Sequence, residues 1–162
     1  MSAARFAIHP AETDADVAAI AGLFRAYADA LGIDLEFQGF SAELTGLPGA
    51  YAPPDGCLLI ARDGGGAALG CVALRPMAIA GACEIKRLYV VPSGRRLGLG
   101  GALIAAIVGE ARRIGYQEMR LDSLPGMDAA ITLYRKAGFA AIAPYYDTPI
   151  ADTVFMGRSL EA

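Results

Sequence analysis

The sequence predicts an α/β fold, with a central mixed sheet and helices on both of its faces, formed by residues 1–162 as a single domain. Strand-like and helix-like runs follow the order β-α-α-β-β-β-α-β-α-β-β, and such interleaving covers both faces of a sheet. At 162 residues the chain is long enough to bury a core. Hydrophobic residues make up 55 % of it and charged residues only 19 %, the balance of a globular chain.

"RFAIHP" is a short first strand. "TDADVAAIAGLFRAYADALGI" is an amphipathic helix: Val17, Ile20, Phe24, Tyr27 and Leu31 recur at helical spacing. Thr13 or Asp14 can cap its start, and Gly32 fits its end. "SAELTGLPG" reads as a second, short helix, and "YAPPDG" as a loop of turn residues. "CLLIAR" and "AALGCVALRP" are strands flanking a "DGGG" hairpin turn. "GACEIKRLYVVP" is the next strand, closed by Pro92. A helix then runs to about Arg113, followed by the strand "YQEMRLDSL". "MDAAITLYRKAGF" is a helix stopped by Gly138, with Arg135 and Lys136 in the last turn, where the helix dipole favours them. "FAAIAPYY" and "TVFMGRSL" are the final strands.

The formal net charge of -3 argues against nucleic acid as a partner, since phosphate backbones call for a clustered basic surface. Arg95, Arg96, Arg112 and Arg113 form a local positive cluster that suits a small anion. The opening "MSAARFAIHP" lacks the apolar core of a signal peptide, and the longest apolar helix is too short to span a bilayer. A soluble cytoplasmic protein is expected, with no membrane contact. Cys57, Cys71 and Cys83 form no disulfide framework and read as buried reduced thiols. A single histidine, His9, supports neither a cysteine nucleophile nor a zinc site, so no metal is expected.

Chemistry concentrates in "LYVVPSGRRLGLGGALIAAIV", Leu88 to Val108, where a strand passes through glycines and arginines into a helix. A helix start leaves backbone N–H groups without partners, and these favour an anion. Gly98, Gly100 and Gly101 let a backbone approach a phosphate closely, and Arg95 and Arg96 add charge-assisted hydrogen bonds. The competing reading is close helix–sheet packing. A P-loop is absent, because no Gly-Lys-Ser or Gly-Lys-Thr occurs. A dinucleotide fold would place its glycines after the first strand, and here they follow several.

Arg95-Arg96-Leu97-Gly98-Leu99-Gly100 resembles the Arg/Gln-x-x-Gly-x-Gly/Ala motif of the GNAT superfamily of acyl-CoA N-acyltransferases. The strand "EIKRLYV" before it and "LYRKAGF" after it are similar to the family's pattern, and the element order matches from Phe6 to Leu160. The resemblance implies a sheet that splays after the strand preceding the loop. It implies that the amides of Arg95, Arg96, Leu97, Gly98, Leu99, Gly100 and Gly101 bind the pyrophosphate of acetyl-CoA, used as co-substrate. Leu88 and Val90 would pair with the pantetheine arm, and the Val90 amide could polarise the thioester carbonyl. A homodimer is a family habit that nothing in the composition shows.

The implied reaction is attack of an amine on a thioester, and an amine with a pKa near 10.4 must first lose a proton. Glu84 stands where many family members carry a general-base glutamate; otherwise it pairs with Lys86 on its own face or with Arg75 on a neighbouring strand. Tyr134 matches the tyrosine that faces the coenzyme sulfur; otherwise it is a core aromatic beside Ala130, Ile131 and Ala137. Transfer of its proton to a thiolate is uphill by about 2 kcal/mol, so a hydrogen bond serves as well. The family's asparagine before the last helix is missing from "DSLPGMD", which leaves Ser123 and Asp128 as polar candidates. Arg75, Lys86 and Arg87 read as solvated strand positions, or else orient an acidic acceptor. Tyr27, Asp34, Glu36, Phe37, Gln38 and Tyr51 lie in the region that shapes the acceptor site and form no motif.

Two functions follow. One is direct acetyl transfer from acetyl-CoA to a primary amine of a small molecule or peptide. The other is a non-catalytic acyl-CoA-binding or sensor module. Having both Glu84 and Tyr134 favours the enzyme.

Overall fold

A computed structural model describes residues 5–161. The element order is β1 (Ala7–Pro10), α1 (Asp14–Leu31), α2 (Phe40–Thr45), β2 (Cys57–Arg62), β3 (Ala68–Pro76), β4 (Ala82–Val90), α3 (Leu99–Ile114), β5 (Glu118–Ser123), α4 (Asp128–Lys136), β6 (Ala140–Ala141) and β7 (Val154–Ser159). Seven strands form one sheet in the order β1-β2-β3-β4-β5-β7-β6. Only β4 and β5 run parallel. A mixed sheet is therefore observed, as the alternation of elements predicts.

Local chemistry explains the elements. Thr13 caps α1, its hydroxyl accepting from the Asp16 N–H at 3.0 Å, and Gly32 ends the helix at φ 66°. The β2–β3 turn is held by Asp63, whose carboxylate accepts from the Gly65 and Ala67 N–H groups, each at 2.9 Å. The two sheet faces carry separate cores. Leu103, Ile104 and Ile107 of α3 pack with Leu74, Ile85 and Leu121 on one face. Ile20 and Phe24 of α1 pack with Leu58, Ile60 and Tyr51 on the other.

The sheet opens between β4 and β5. Nine-residue β4 pairs with β5 only from Ala82↔Glu118 to Glu84↔Arg120. Beyond Glu84 the strands diverge, and Lys86 bridges the gap to Asp122 at 3.0 Å by a side-chain ion pair. On its other edge β4 stays paired with β3 out to Gly70↔Val90, across an irregularity between Cys71 and Ala73. Opposite that irregularity Arg87 adopts φ 61°, the signature of a bulge that turns Lys86 and Arg87 toward one side.

One predicted strand is shorter than expected. "FAAIAPYY" contributes only Ala140–Ala141 to the sheet, with one further bond from the Ile142 N–H to the Phe155 carbonyl. Pro144 has no N–H to donate, so the chain leaves β7 before the two tyrosines. Lys86 and Arg87 also depart from expectation: at 5 % and 3 % exposure they are buried, not solvated. Arg87 stays charged because Glu43 pairs with it at 2.9 Å and Gln38 accepts from it at 2.8 Å.

Candidate active site

Two clefts flank the splay, and between them lies a narrow polar throat that shares Tyr27, Leu88 and Met127 with the first and Lys86 with the second. The first, of about 840 Å³, lies between the diverging end of β4 and the start of α3. Leu88, Tyr89 and Val90 form one wall, and Gly94 to Arg96 with Gly98 to Gly101 form its end. Met127, Ala130 and Leu133 close the side nearer α4. Leu97 is absent from this wall, and Leu99 turns its side chain into the core at 1 % exposure.

The three glycines serve different needs. Gly98 precedes α3 at φ 76°, in the left-handed region. A Cβ on Gly100 would meet Leu133 at 2.7 Å, so this glycine lets α3 approach α4. Gly101 faces open space, with no atom within 4 Å of an added Cβ. The Ala102 N–H makes the first helical bond, to the Gly98 carbonyl at 3.1 Å. The amides of Leu99, Gly100 and Gly101 precede it and have no helical acceptor. Amides without acceptors, an uncrowded glycine and two exposed arginines fit the pyrophosphate of a coenzyme. Arg95 also donates from Nε to the Val90 carbonyl at 3.2 Å, tying the loop to β4.

Tyr27, Lys86, Leu88, Asp122, Ser123 and Tyr134 line the throat. Tyr134 is 6 % exposed and stacks edge-on with Phe139, ring centres 5.8 Å apart. Burial, with Tyr27 and Asp122 nearby, pushes its phenol well above the ordinary value. It therefore stays a protonated donor. Burial works to raise the Asp122 carboxyl, but Lys86 and the Tyr146 hydroxyl overcome it and hold the group below the ordinary carboxylate value. The Ser123 hydroxyl is buried and has no protein partner. Asp128 is exposed in the first turn of α4, so Ser123 is the polar group that enters the site.

Glu84 lies on the floor of the second cleft, of about 690 Å³. Its Oε1 accepts from Arg75 Nε at 2.9 Å, and its Oε2 from the Tyr145 hydroxyl at 2.5 Å. The ion pair expected from the sequence is thus present with Arg75 and not with Lys86. Tyr146 donates in parallel to Asp122. Sequence reasoning missed Asp122, Tyr145 and Tyr146. The Tyr-Tyr pair after Pro144 was the available signal, since a proline inside an apparent strand argues for a loop.

All three cysteines are free and buried. Burial pushes the Cys57 thiol up to about 11 and the Cys83 thiol up to about 12, so neither is a nucleophile at neutral pH. Among the described residues no group of three or more His, Cys, Asp and Glu could hold a metal, and no helix is long and apolar enough to cross a membrane.

Comparison with known proteins agrees with this geometry. The family described as "Acetyltransferase (GNAT) domain" matches residues 54–141. An uncharacterized N-acetyltransferase of Schizosaccharomyces pombe is 43 % identical over 134 residues, spanning 83 % of this chain and 82 % of that protein. An IAA acetyltransferase of Azospirillum brasilense is 35 % identical over 112 residues, covering 67 % of this chain and 71 % of its own. A GNAT-family acetyltransferase structure from Staphylococcus aureus superposes with a TM-score of 0.80 at 17 % identity, over 96 % of this chain and 99 % of that one. A phosphinothricin acetyltransferase from Sinorhizobium meliloti, solved with AcCoA, superposes with a TM-score of 0.68 at 20 % identity, over 96 % and 88 %. The splayed sheet, the glycine loop at the start of α3 and these matches together place the chain in the GNAT acetyltransferase family.

Proposed function

We propose that residues 1–162 act as one N-acetyltransferase domain that moves an acetyl group from acetyl-CoA to a primary amine. The observation that carries this reading is the first cleft, which joins uncommitted helix-start amides to a strand edge that β5 leaves unpaired. Amides from Leu99 to Gly101, with Arg95 and Arg96, receive the pyrophosphate. Leu97 shapes the loop from outside the wall. Leu88 and Val90 offer backbone groups to the pantetheine amides, as an added strand would. The Ser123 hydroxyl, without a protein partner, supplies the polar contact that an asparagine makes elsewhere in the family.

The acceptor amine enters from the second cleft and meets the thioester at the throat. Glu84, on that cleft's floor, accepts the proton the amine must lose, directly or through water. Tyr134 donates a hydrogen bond to the sulfur as negative charge develops there. Its raised pKa makes hydrogen bonding, not full proton transfer, its main contribution. We further place the protein in the cytoplasm, where buried unpaired thiols stay reduced.

Calorimetric titration with acetyl-CoA tests the reading. Gly101→Glu is the control, because it fills the open space at the helix start without displacing a neighbour. Saturable binding by the wild type and at least about a hundredfold weaker binding by the variant is the expected outcome. Equal binding by both would move the coenzyme away from this loop. Absence of binding by the folded wild type would overturn the transferase reading.

A further inference from the structure

The second cleft is open, of small-molecule size, and shares Lys86 with the throat. Its lining is mixed. Phe37, Met77, Tyr145, Tyr146 and Pro149 supply the aromatic and apolar part. Gln38, Arg75, Glu84, Lys86 and Asp147 supply the polar part. Phe37 is 38 % exposed, and among the described residues only it and Ile79 are large exposed hydrophobics. In a cleft also lined by Tyr145 and Tyr146, this phenyl ring gives an incoming aromatic ring a surface to pack against. Phe37 is also held in place. It sits in the short turn Glu36–Gln38, and Gln38 accepts from Arg87 Nη1 at 2.8 Å, which bolts the turn to β4.

Both cations of this cleft already face a carboxylate. Its cations are Arg75 and Lys86. Arg75 directs Nε and Nη2 to Glu84 Oε1, both at 2.9 Å. Lys86 is 5 % exposed and is held by Asp122 at 3.0 Å. The lining therefore offers a ligand carboxylate or phosphate no unmatched positive charge, only the outer edge of Arg75, a third of whose side chain is exposed. Asp147 adds a carboxylate to the lining, which favours an incoming ammonium group over an anion.

We propose that the acceptor is a small amine on an aromatic body that carries no carboxylate or phosphate, an arylalkylamine, with its ring against Phe37 and its nitrogen directed past Tyr145 toward Glu84. This inference rests on the transferase reading and names its substrate class. The amine nitrogen bonds to the acetyl carbonyl carbon, and the carbon–sulfur bond breaks with its electrons on sulfur. The incoming ammonium gives up one proton before the attack and the nitrogen a second after it, and each passes to the Glu84 carboxylate and then to solvent through the open cleft. The sulfur leaves as coenzyme A thiolate, hydrogen-bonded by Tyr134, and takes a proton from solvent.

The test measures coenzyme A thiol release with tryptamine and phenethylamine, and with phenylalanine, spermidine and butylamine for comparison. Acetyl-CoA binding is titrated in parallel. The expected result is the highest kcat/KM for the two arylalkylamines. Phe37→Ala should raise KM for tryptamine about three- to tenfold more than KM for butylamine, with acetyl-CoA affinity unchanged. Because Phe37 is exposed, this variant folds, and an unchanged melting temperature verifies that. Higher kcat/KM with phenylalanine would overturn the proposal by showing that a carboxylate is accommodated. A preference for spermidine or butylamine would overturn it by removing the aromatic requirement, as would a KM in Phe37→Ala that rises no more for tryptamine than for butylamine. Bound acetyl-CoA with no turnover of either arylalkylamine would overturn the acceptor class alone. Absence of acetyl-CoA binding would overturn the transferase reading as well.

Discussion

At the scale of single residues, the site is a set of polar groups whose partners decide their chemistry. Tyr134 is kept protonated by burial, so it offers a hydrogen bond and not a phenolate. Removing its hydroxyl should lower kcat about ten- to a thousandfold, within the range for a lost transition-state donor. Coenzyme affinity should stay within about twofold, because Tyr134 lines the throat and not the glycine loop. Stopped-flow or steady-state thiol release with Tyr134→Phe measures the first quantity and titration the second. Undiminished kcat would return Tyr134 to the role of a core aromatic packed on Phe139. The arginines show the same dependence on partners. "EIKRLYV" reads as an exposed strand face, yet Arg87 is among the more buried side chains, because Glu43, forty-odd residues earlier in the chain, comes to meet it.

At the scale of elements, the decisive feature is where β4 and β5 part. Backbone pairing stops at Glu84↔Arg120, and the next facing pair, Lys86 and Asp122, is joined by side chains alone. Both partners line the throat. Lys86→Met leaves Asp122 buried with one partner fewer and should destabilise the fold by about 3–5 kcal/mol. The double variant Lys86→Met/Asp122→Leu removes both charges and should recover most of that stability. Urea unfolding of the three proteins checks it. A single variant as stable as the wild type would mean that solvent reaches Asp122 freely. The segment between β6 and β7 matters for the same reason. It leaves the sheet at Pro144 and lays Tyr145 on Glu84 and Tyr146 on Asp122, one tyrosine for each carboxylate on either side of the parting strands.

At the scale of the whole molecule, the two faces of the sheet carry two cores, and the charged cluster lies where they meet at the splay. Stability against acid follows from the carboxylates. The Arg62 hydrogen bond outweighs burial and lowers the Asp16 carboxyl, while Lys86 and Tyr146 offset burial to lower that of Asp122. Both folded-state values lie below the unfolded value of about 3.9, so their stabilisation is complete above that pH and is lost as pH falls through the folded values. Melting temperature should therefore hold from about pH 5 to pH 8 with respect to these groups and fall below about pH 4. A thermal melting series against pH checks this, and a decline setting in above about pH 5 would assign acid sensitivity to other groups.

Much of this protein was legible in its sequence because the relevant physics is local. Helical spacing in "TDADVAAIAGLFRAYADALGI", the helix end at Gly32, the Asp-Gly turn and Pro92 at a strand end each act within a few residues. The glycine loop was legible for the same reason, as helix-start amides are set by the adjacent chain. Glu84 and Tyr134 were singled out as candidates by resemblance, and Arg75 as the partner of Glu84 by strand adjacency. Asp122, Tyr145 and Tyr146 were hidden, because their meaning depends on contacts across 24 to 61 positions of chain. The sequence by itself determined the elements, their order and the glycine-rich start of α3, since short-range sterics and hydrogen bonding set these. Tertiary structure alone decided that β4 and β5 part after Glu84, that Lys86 and Arg87 are buried and paired, and that a partly aromatic cleft opens beside Glu84. Those outcomes depend on how distant charges balance once water is excluded, and no local pattern encodes that balance.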